Sequence, residues 1–331
     1  MIAGDELAAW LRDKPRHGRS QAATRGFAEE WRRSTLIAGL ERELAGQEHP
    51  TTQSVVAAAR RFFDRGEELA ALLGALIARC REDPFFLPPF NPLSSEIHSG
   101  LLLFQDQELS IGFGVTSLEM LAAKKAFRKG PASIGFTGVV NLFRYLKSGN
   151  ALLSFWEAPP IEPGFSAATA GECRRTGRRR IADGEEILID GRSRSFIIDH
   201  ADGDIVYLQA MVRTAAAPLT AEYDSDTRSF IGATSTDEAS SRLQMMATLL
   251  REMDREEAVP LLRQSLSSRH FYTRWHIMRE MLALDAEAAL PDLRRMAEED
   301  PHPEVRAAAL QTLRLFFGEE LTEQEAPLCP A

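Results

Sequence analysis

The 331-residue sequence has few cysteines and no long apolar run. Its three cysteines, Cys80, Cys173 and Cys329, are odd in number and far apart, which argues against a disulfide framework or a thiolate zinc site. No stretch approaches the roughly 18 apolar residues of a membrane-spanning helix. The beginning of the chain carries acidic Asp5 and Glu6 where a secretory signal peptide needs basic residues. We therefore expect a cytoplasmic protein that does not bind membranes.

Positive charge and common enzyme signatures are also scarce. Lys and Arg number 39 against 48 Asp and Glu, a formal net charge of −9. Such a chain has no general affinity for polyanions, so nucleic acid is not an expected partner. The sequence contains no GxSxG, P-loop, HExxH or strand-linked GxGxxG motif. Hydrolase, NTPase and dinucleotide-dependent functions therefore lack their usual signature.

What remains is the composition of an ordinary globular protein, 44% hydrophobic and 26% charged. At about 150 residues per domain the length predicts two or three domains. The periodicity of the apolar residues changes from helix to strand and back to helix. We predict an α+β fold with an N-terminal helical region (1–82), a proline- and phenylalanine-rich connector (83–92), a β domain (93–235), helical repeats (236–317) and an acidic tail (318–331).

The first 82 residues have the pattern of amphipathic helices. Apolar residues such as Phe27 and Trp31 recur every three to five positions, with charged residues between them. Thr51 or Thr52 can cap a helix after a proline break, and Gly66 marks another break. We predict a helical cap that packs on the rest of the protein. Pairing of these helices in a homodimer is the alternative.

The connector contains four prolines between residues 84 and 92, with phenylalanines among them. Proline cannot sit inside a regular helix or a central strand. Because the segment is too apolar for a solvated linker, we expect it to be extended, with its phenylalanines filling grooves on a neighbouring domain.

From about residue 93 the pattern becomes that of short strands. Ile111, Phe113 and Val115 alternate with serine and glycine, and glycine turns such as Ser148-Gly-Asn150 separate similar runs. This predicts an antiparallel sandwich or barrel, with one helical insert at Ser117–Lys129. The other predicted strands are Ile134–Val140, Leu152–Trp156, Ile187–Ile189, Phe196–Ile198, Ile205–Val212 and Ser229–Ile231.

The hairpin series Gly184–Gly191, Phe196–His200 and Asp202–Leu208 resembles the second half of a cupin, the double-stranded β-helix fold. The resemblance implies a cupin-like β domain that holds a small molecule or a partner segment. Cupin enzymes generally bind a metal with an HxH pair, a glutamate and a later histidine. This sequence has no HxH pair, which argues against that chemistry but not against the fold.

An internal repeat follows residue 236. Arg242, Arg274 and Arg306 lie 32 residues apart. The segment 293–310 resembles a HEAT-type repeat, in which an Asp/Pro turn joins two antiparallel helices and a Val-Arg pair opens the second. Asp300, Pro301, Val305 and Arg306 stand at those positions. Such units stack because each leaves an apolar face that its neighbour covers, so the resemblance implies an α-solenoid with a protein-interaction surface.

Five arginines within seven positions form the most concentrated charge in the chain. Guanidinium groups suit carboxylate and phosphate oxygens, so a small anionic ligand or an acidic partner peptide is one hypothesis. Pairing with the chain's own acidic residues is the alternative. Trp156 and Tyr145, in predicted strands, are candidates to line an apolar pocket. The arginines are Arg174, Arg175, Arg178, Arg179 and Arg180.

An alternative metal site uses His98, His200 and Asp202. The HxD spacing of His200 and Asp202 supplies two ligands of a 2-His-1-carboxylate iron site, although Asp202 also begins an ordinary turn. His276 and Glu280, one helical turn apart, have a spacing that can chelate zinc, without an evident third ligand. We expect no cofactor, with iron or zinc as the alternative.

These observations predict a non-enzymatic cytoplasmic binding or regulatory protein. Its β domain holds a small anionic or apolar ligand or a partner segment, and its helical repeats contact a protein partner. The alternative is a cupin-type metal-dependent oxygenase or isomerase with an irregular metal site, so the sequence leaves open whether the protein is an enzyme.

Overall fold

The computed structural model describes residues 4–318 except 128, 129, 131, 163, 164 and 166. The chain forms two compact units. The first combines the described residues up to Ala132 with Val139–Glu157 and Arg175–Ala216. The second combines Ser133–Gly138, the described part of 158–174 and the described residues from Ala217 onward. None of the described helices has the length and apolar character needed to cross a membrane.

Five helices open the first unit. They are α1 (Gly4–Arg12), α2 (Lys14–Arg33), α3 (Thr35–Ala45), α4 (Thr52–Asp64) and α5 (Gly66–Glu82). Thr51 caps α4: its Oγ1 accepts the Ser54 N–H at 3.1 Å, and Ser54 Oγ accepts the Thr51 N–H at 3.0 Å. This reciprocal pair is a capping box. The predicted break at Gly66 is confirmed, since α4 ends just before it.

Twelve strands and one further helix follow in the described chain. They are β1 (Asn91–Ser94), β2 (His98–Gln105), β3 (Leu109–Thr116), α6 (Leu118–Phe127), β4 (Ser133–Phe136), β5 (Val140–Lys147), β6 (Leu152–Glu157), β7 (Arg174–Arg180), β8 (Glu186–Asp190), β9 (Arg194–His200), β10 (Ile205–Val212), β11 (Leu219–Asp224) and β12 (Phe230–Ser235). They form three sheets rather than one closed barrel, with the orders β1-β2-β3-β10-β5-β8, β7-β6-β9 and β12-β11-β4.

The strand order of the first unit is that of a jelly roll. β10 lies antiparallel between β3 and β5, and β5 also pairs with β8, while β6 pairs with β9 in the other sheet. The chain crosses between the two sheets after β5, β7, β8 and β9, and β10 pairs with strands distant in sequence, as in the jelly rolls to which cupins belong. The cupin-like fold predicted for this part of the chain is confirmed.

The six-stranded sheet is buried on both faces. Leu142 and Leu208 pack against α2–α5, in one core with Phe27, Trp31 and Phe62. The alternate residues Phe143, Tyr145 and Tyr207 face the smaller sheet and pack against Leu153, Phe155, Phe196 and Ile198. The helical cap predicted for the N-terminal region therefore covers the outer face of a two-sheet sandwich.

The connector fills grooves, as its composition predicts. Phe85 stacks on Trp10 with ring centroids 4.8 Å apart, and Phe86 meets Phe27 edge to face at 6.1 Å. Both phenylalanines are buried. The last proline of the segment, Pro92, lies in β1 at the sheet edge, where a missing N–H costs little.

The second unit contains the sheet β12-β11-β4 and the helical repeats. The helices are α7 (Glu238–Glu252), α8 (Val259–Gln264), α9 (Phe271–Leu284), α10 (Ala286–Glu299) and α11 (Pro303–Phe317). Their cores join neighbouring helices: Ala247, Ile277 and Met281 in one, Met278, Leu293 and Leu313 in the next. The turn predicted at Asp300-Pro301 joins α10 to α11, as expected of a HEAT-type unit.

The segment Ile134–Val140, predicted as one strand, is two. β4 ends at Phe136 and β5 begins at Val140, because the chain turns at Gly138, whose φ is +71°. A Cβ on Gly138 would lie 2.6 Å from the Leu219 carbonyl oxygen, so the turn needs glycine. Of the predicted insert Ser117–Lys129, α6 accounts for residues up to Phe127. Lys129 and the tail beyond Gly318 lie outside the described residues.

Candidate functional site

The arginine cluster is the strand β7, which no apolar alternation had indicated. β7 is an edge strand, and every one of its residues is exposed. Arg178 Nε lies 2.5 Å from Asp199 Oδ2, and Arg179 Nη1 lies 2.5 Å from Glu185 Oε1. Arg180 Nη1 donates to the Asn150 carbonyl oxygen at 2.6 Å. Arg178, Arg179 and Arg180 thus contact acceptors of the same unit.

Tyr145 and Trp156 lie in different places. Tyr145 is buried between the two sheets, and this burial raises the pKa of its hydroxyl. Trp156 lies on the face of β6 opposite to Leu153 and Phe155, the two residues that pack between the sheets. Its Nε1 is buried without a hydrogen-bond partner among the described residues. The structure does not bring these two aromatic residues to one pocket.

His98 lies at the start of β2 inside a small polar group. Its Nδ1 lies 2.8 Å from Thr116 Oγ1 and 3.3 Å from the Tyr207 hydroxyl. Burial lowers the pKa of His98, and the charge of Lys124 adds to the shift. These contacts are those of a hydrogen-bonded structural histidine.

His200 and Asp202 contact each other at the surface, with His200 Nε2 2.9 Å from Asp202 Oδ1. Hydrogen bonds from Asn150 and then from His200 lower the pKa of Asp202. Among the described residues no three His, Cys, Asp or Glu side chains are grouped to hold a metal ion. His98, His200 and Asp202, the alternative metal ligands, therefore do not converge.

His276 and Glu280 belong to a network between α7 and α9. His276 Nε2 lies 3.0 Å from Thr248 Oγ1, 3.2 Å from the Gln244 carbonyl oxygen and 3.3 Å from Glu280 Oε1. Because a carbonyl oxygen only accepts, the contact with Gln244 is a hydrogen bond when the ring carries its proton on Nε2. Glu280 also binds Arg251, at 2.5 Å. This arrangement joins two helices of the repeat.

An apolar recess lies beside this network, in the second unit. It has a volume of about 610 Å³, and its walls come from β12, α7, α9 and the segment around Phe165. Phe165 and Phe230 meet edge to face at 5.5 Å. The volume lies within the range of roughly 300–1,000 Å³ usual for ligand sites. We call it the repeat cavity; its apolar walls are Phe165, Leu219, Phe230, Ala233, Met245 and Phe271.

A few polar groups are placed around the repeat cavity. The Tyr272 hydroxyl donates to the Pro218 carbonyl oxygen at 3.0 Å and lies 2.9 Å from Ser235 Oγ. Burial raises the pKa of Tyr272, so this hydroxyl is neutral at physiological pH. The other polar lining residues are Thr234, Ser241, Gln244, Thr248, His276 and Glu304. Such a cavity suits an apolar group that carries one or two hydrogen-bonding atoms.

One end of the repeat cavity meets an exposed apolar stripe on α7. Met245, Met246 and Leu249 lie on one side of the helix, and Met253, its C-cap, continues the line. These four side chains are 51–70% exposed. We call them the methionine stripe. Met245 belongs both to the stripe and to the cavity wall.

A second recess lies among the loops of the first unit, around Ser148, Ala182 and Asp204. Asp183 accepts the N–H and the hydroxyl of Ser148 at 2.7 and 2.8 Å, which lowers the pKa of its carboxyl group. Two aspartates, Asp183 and Asp204, line this recess.

No sequence pattern directly indicates the repeat cavity, because its walls come from separated segments. The weaker signal was Tyr272 and His276, two polar residues spaced four apart within an apolar repeat helix. The methionine stripe was also visible in part, since Met246 and Leu249 keep the repeat period without being needed for a core.

Comparison with solved structures returns matches that cover 36–37% of the chain. Ectoine synthase from P. lautus matches 37% of this chain and 67% of its own at 10% identity, with a TM-score of 0.21. A cupin domain from Bordetella pertussis matches 36% and 97% at 6% identity, TM-score 0.23. A cupin 2 conserved barrel domain protein from Salinispora arenicola matches 37% and 81% at 8% identity, TM-score 0.22.

No curated protein matches the chain. Residues 230–314, however, match the family described as HEAT repeats. This range contains α7–α10 and most of α11, including the Asp300-Pro301 turn and the arginines that repeat every 32 residues. The HEAT-like character predicted for the C-terminal helices is thereby confirmed.

Proposed function

We propose that this protein is a non-enzymatic binding protein whose HEAT-like repeats hold a segment of a protein partner. The methionine stripe is the contact surface, and the repeat cavity receives an apolar side chain of that segment. The observation that carries the proposal is the position of Met245, at once in the exposed stripe and in the cavity wall. A segment lying along α7 can therefore reach the cavity.

The physical basis is the exposure of apolar surface. Covering exposed apolar side chains with a partner lowers the free energy by roughly 25 cal/mol for each Å² of apolar surface removed from water. Contiguous apolar surface on a soluble protein commonly marks an interaction site, whereas single exposed residues do not. Methionine adapts its flexible side chain to varied partners. The partner segment that fits is an amphipathic helix with one large apolar anchor.

The test is selection of helix-forming peptides from a random library against the full chain, followed by calorimetry of the selected peptides. We expect peptides with an apolar stripe, and an affinity loss of at least about tenfold in Leu249→Glu. Leu261→Glu is the matched control, because Leu261 is an exposed leucine of α8 outside the stripe. Equal binding by both variants, or selection of no such peptide, contradicts the proposal.

A second copy of this chain is the competing occupant of the stripe. Sedimentation of the wild-type protein and of Leu249→Glu separates the two cases. A wild-type dimer that Leu249→Glu dissociates would replace the partner proposal by self-association. If the wild-type protein and Leu249→Glu are both monomers, the result supports the proposal of a partner protein.

A small apolar molecule in the repeat cavity is the second candidate function, favoured by the cavity's volume. Native mass spectrometry of protein purified without added ligand would detect such a molecule. Ala233→Phe places a ring where Ala233 lines the cavity. It should remove the bound mass while leaving the helical circular dichroism unchanged.

Cytoplasmic localisation belongs to the same proposal. The free thiols of exposed Cys80 and buried Cys173 support it, since free cysteines persist in reducing compartments. Cell fractionation that places the protein with secreted or membrane fractions would overturn it.

A further inference from the structure

β7 is a free sheet edge of unusual composition. It is the outer strand of β7-β6-β9, all seven of its residues are exposed, and five of them are arginine. An exposed edge strand offers unpaired backbone groups to another strand, and proteins normally protect such edges with charge. In β7 the protecting charges are all positive, so they favour the approach of negatively charged segments.

The direction of the backbone donors follows from one hydrogen bond. The Ile181 N–H donates to the Ala151 carbonyl oxygen at 3.0 Å, on the side of β6. Since successive N–H groups of a strand point to opposite edges, those of Arg180, Arg178 and Thr176 point away from β6. The outer edge of β7 therefore presents a ladder of donors and acceptors.

The arginine side chains retain donors for a partner. The side chains of Arg178, Arg179 and Arg180 are about half exposed, and exposed ion pairs contribute little free energy. A guanidinium has five N–H donors, and these contacts use only some of them. The Arg175 side chain makes no hydrogen bond or ion pair with the described residues. Additional carboxylates can bind here without breaking the internal pairs.

We propose that β7 binds an extended acidic segment of a partner protein, which adds to the sheet as an antiparallel strand. The outward N–H and C=O groups of Thr176, Arg178 and Arg180 supply the backbone ladder. Carboxylates of the added strand bind the arginines on both faces of the sheet. This site is in the first unit and is independent of the methionine stripe.

An acidic peptide fits this edge better than a nucleic acid does. The strand edge offers backbone groups spaced for another peptide strand, and a phosphodiester backbone has no matching donors. Asp199, Glu185 and Asp202 lie among the arginines and reduce the local potential that a polyphosphate requires.

The experiment measures binding of a labelled peptide of about eight residues in which Glu-Glu pairs alternate with Val or Thr, so that carboxylates lie on both faces of the added strand. Fluorescence anisotropy with the full chain should show saturable binding that weakens at higher salt. Thr176→Pro removes one outward N–H at an edge where proline is tolerated. The triple variant Arg175→Ser, Arg178→Ser, Arg180→Ser removes charge and leaves the ladder. Each should weaken binding at least about tenfold.

Three controls make the result decisive. A control triple variant removes the same charge from exposed positions of α2 and should bind the peptide like wild type. Its substitutions are Arg19→Ser, Arg25→Ser and Arg33→Ser. The peptide with Gln in place of Glu should bind at least about tenfold more weakly. Circular dichroism confirms folding of each variant. Absence of peptide binding, equal binding by the triple β7 variant, or tighter binding of a single-stranded RNA of equal charge overturns the proposal.

Discussion

Arg274 and Asp300 form a two-pronged ion pair inside the helical repeats. Arg274 Nε lies 2.7 Å from Asp300 Oδ2, and Arg274 Nη2 lies 2.7 Å from Asp300 Oδ1. Both residues are buried. Arg274 Nη1 also donates to the Ser268 carbonyl oxygen at 2.9 Å, so the guanidinium ties α9 to the turn before it and to the end of α10.

Arg274→Ala should strongly destabilise the second unit. It leaves the buried Asp300 carboxylate without its partner, and breaking a buried pair from one side costs about 3–5 kcal/mol. Arg242→Ala is the matched control, because Arg242 holds the same repeat position 32 residues earlier but is exposed and pairs with the equally exposed Glu238. Its cost should stay below about 1 kcal/mol. Urea unfolding of both variants measures the difference, and similar losses would contradict this account.

Acidification should weaken the same unit through His302. The ring is 7% exposed, stacks on Phe271 at 3.8 Å, and both its nitrogens lack hydrogen-bond partners among the described residues. Burial lowers its pKa below the ordinary value of 6.5. The unfolded chain therefore binds a proton that the folded chain refuses, and stability falls as the pH drops below about 6.5.

His302→Phe should reduce this pH dependence and leave stability at pH 7 equal or higher, since two unpaired polar atoms are removed. Urea unfolding at about pH 7 and pH 5 gives the two free energies. Part of the pH dependence of the free energy of unfolding should remain in the variant, because burial also lowers the pKa of His270 and His98. If the free energy of unfolding depends on pH as strongly in the variant as in the wild type, His302 does not contribute to that dependence.

Gly149→Ala should destabilise the jelly roll. Gly149 has φ +55°, and a Cβ there would lie 2.3 Å from the Gly203 carbonyl oxygen. The conformation alone costs about 1–3 kcal/mol for other residues, and the contact adds to it. Gly203→Ala in the facing turn is the control, since its nearest atom would be 4.0 Å away. Thermal unfolding should separate the two variants clearly.

Phe86→Ala should destabilise the first unit by about 3–5 kcal/mol, the usual cost of removing a buried aromatic ring. Leu87→Ala, in the next position, should change stability by less than about 0.5 kcal/mol because Leu87 is exposed. Guanidinium unfolding followed by tryptophan fluorescence is suitable. Equal effects would mean that the connector is not part of the core.

Elements with a buried face were predictable from sequence. β10 was found because Ile205–Val212 is apolar on both sides, one facing the helices and one facing the second sheet. The repeats were found because Arg274 and Arg306 serve a turn that each unit needs. Such residues carry their structural role in their spacing.

The features that were not predicted lack such a spacing of residues in the sequence. β7 has no buried side chain, so no apolar alternation marks it as a strand. The repeat cavity depends on Phe165, Phe230 and Phe271, which are distant in sequence and meet only after folding. Likewise, nothing in the spacing of Tyr145 and Trp156 showed that they lie on different faces.

The cover of α2–α5 over the six-stranded sheet limits how the chain can be shortened. An expression fragment starting near residue 91 would leave Leu103, Ile111 and Leu208 facing solvent. Such a fragment should be insoluble, because the uncovered sheet would expose a large apolar surface through which copies of the fragment aggregate. Work on the jelly roll in isolation therefore needs the preceding helices retained.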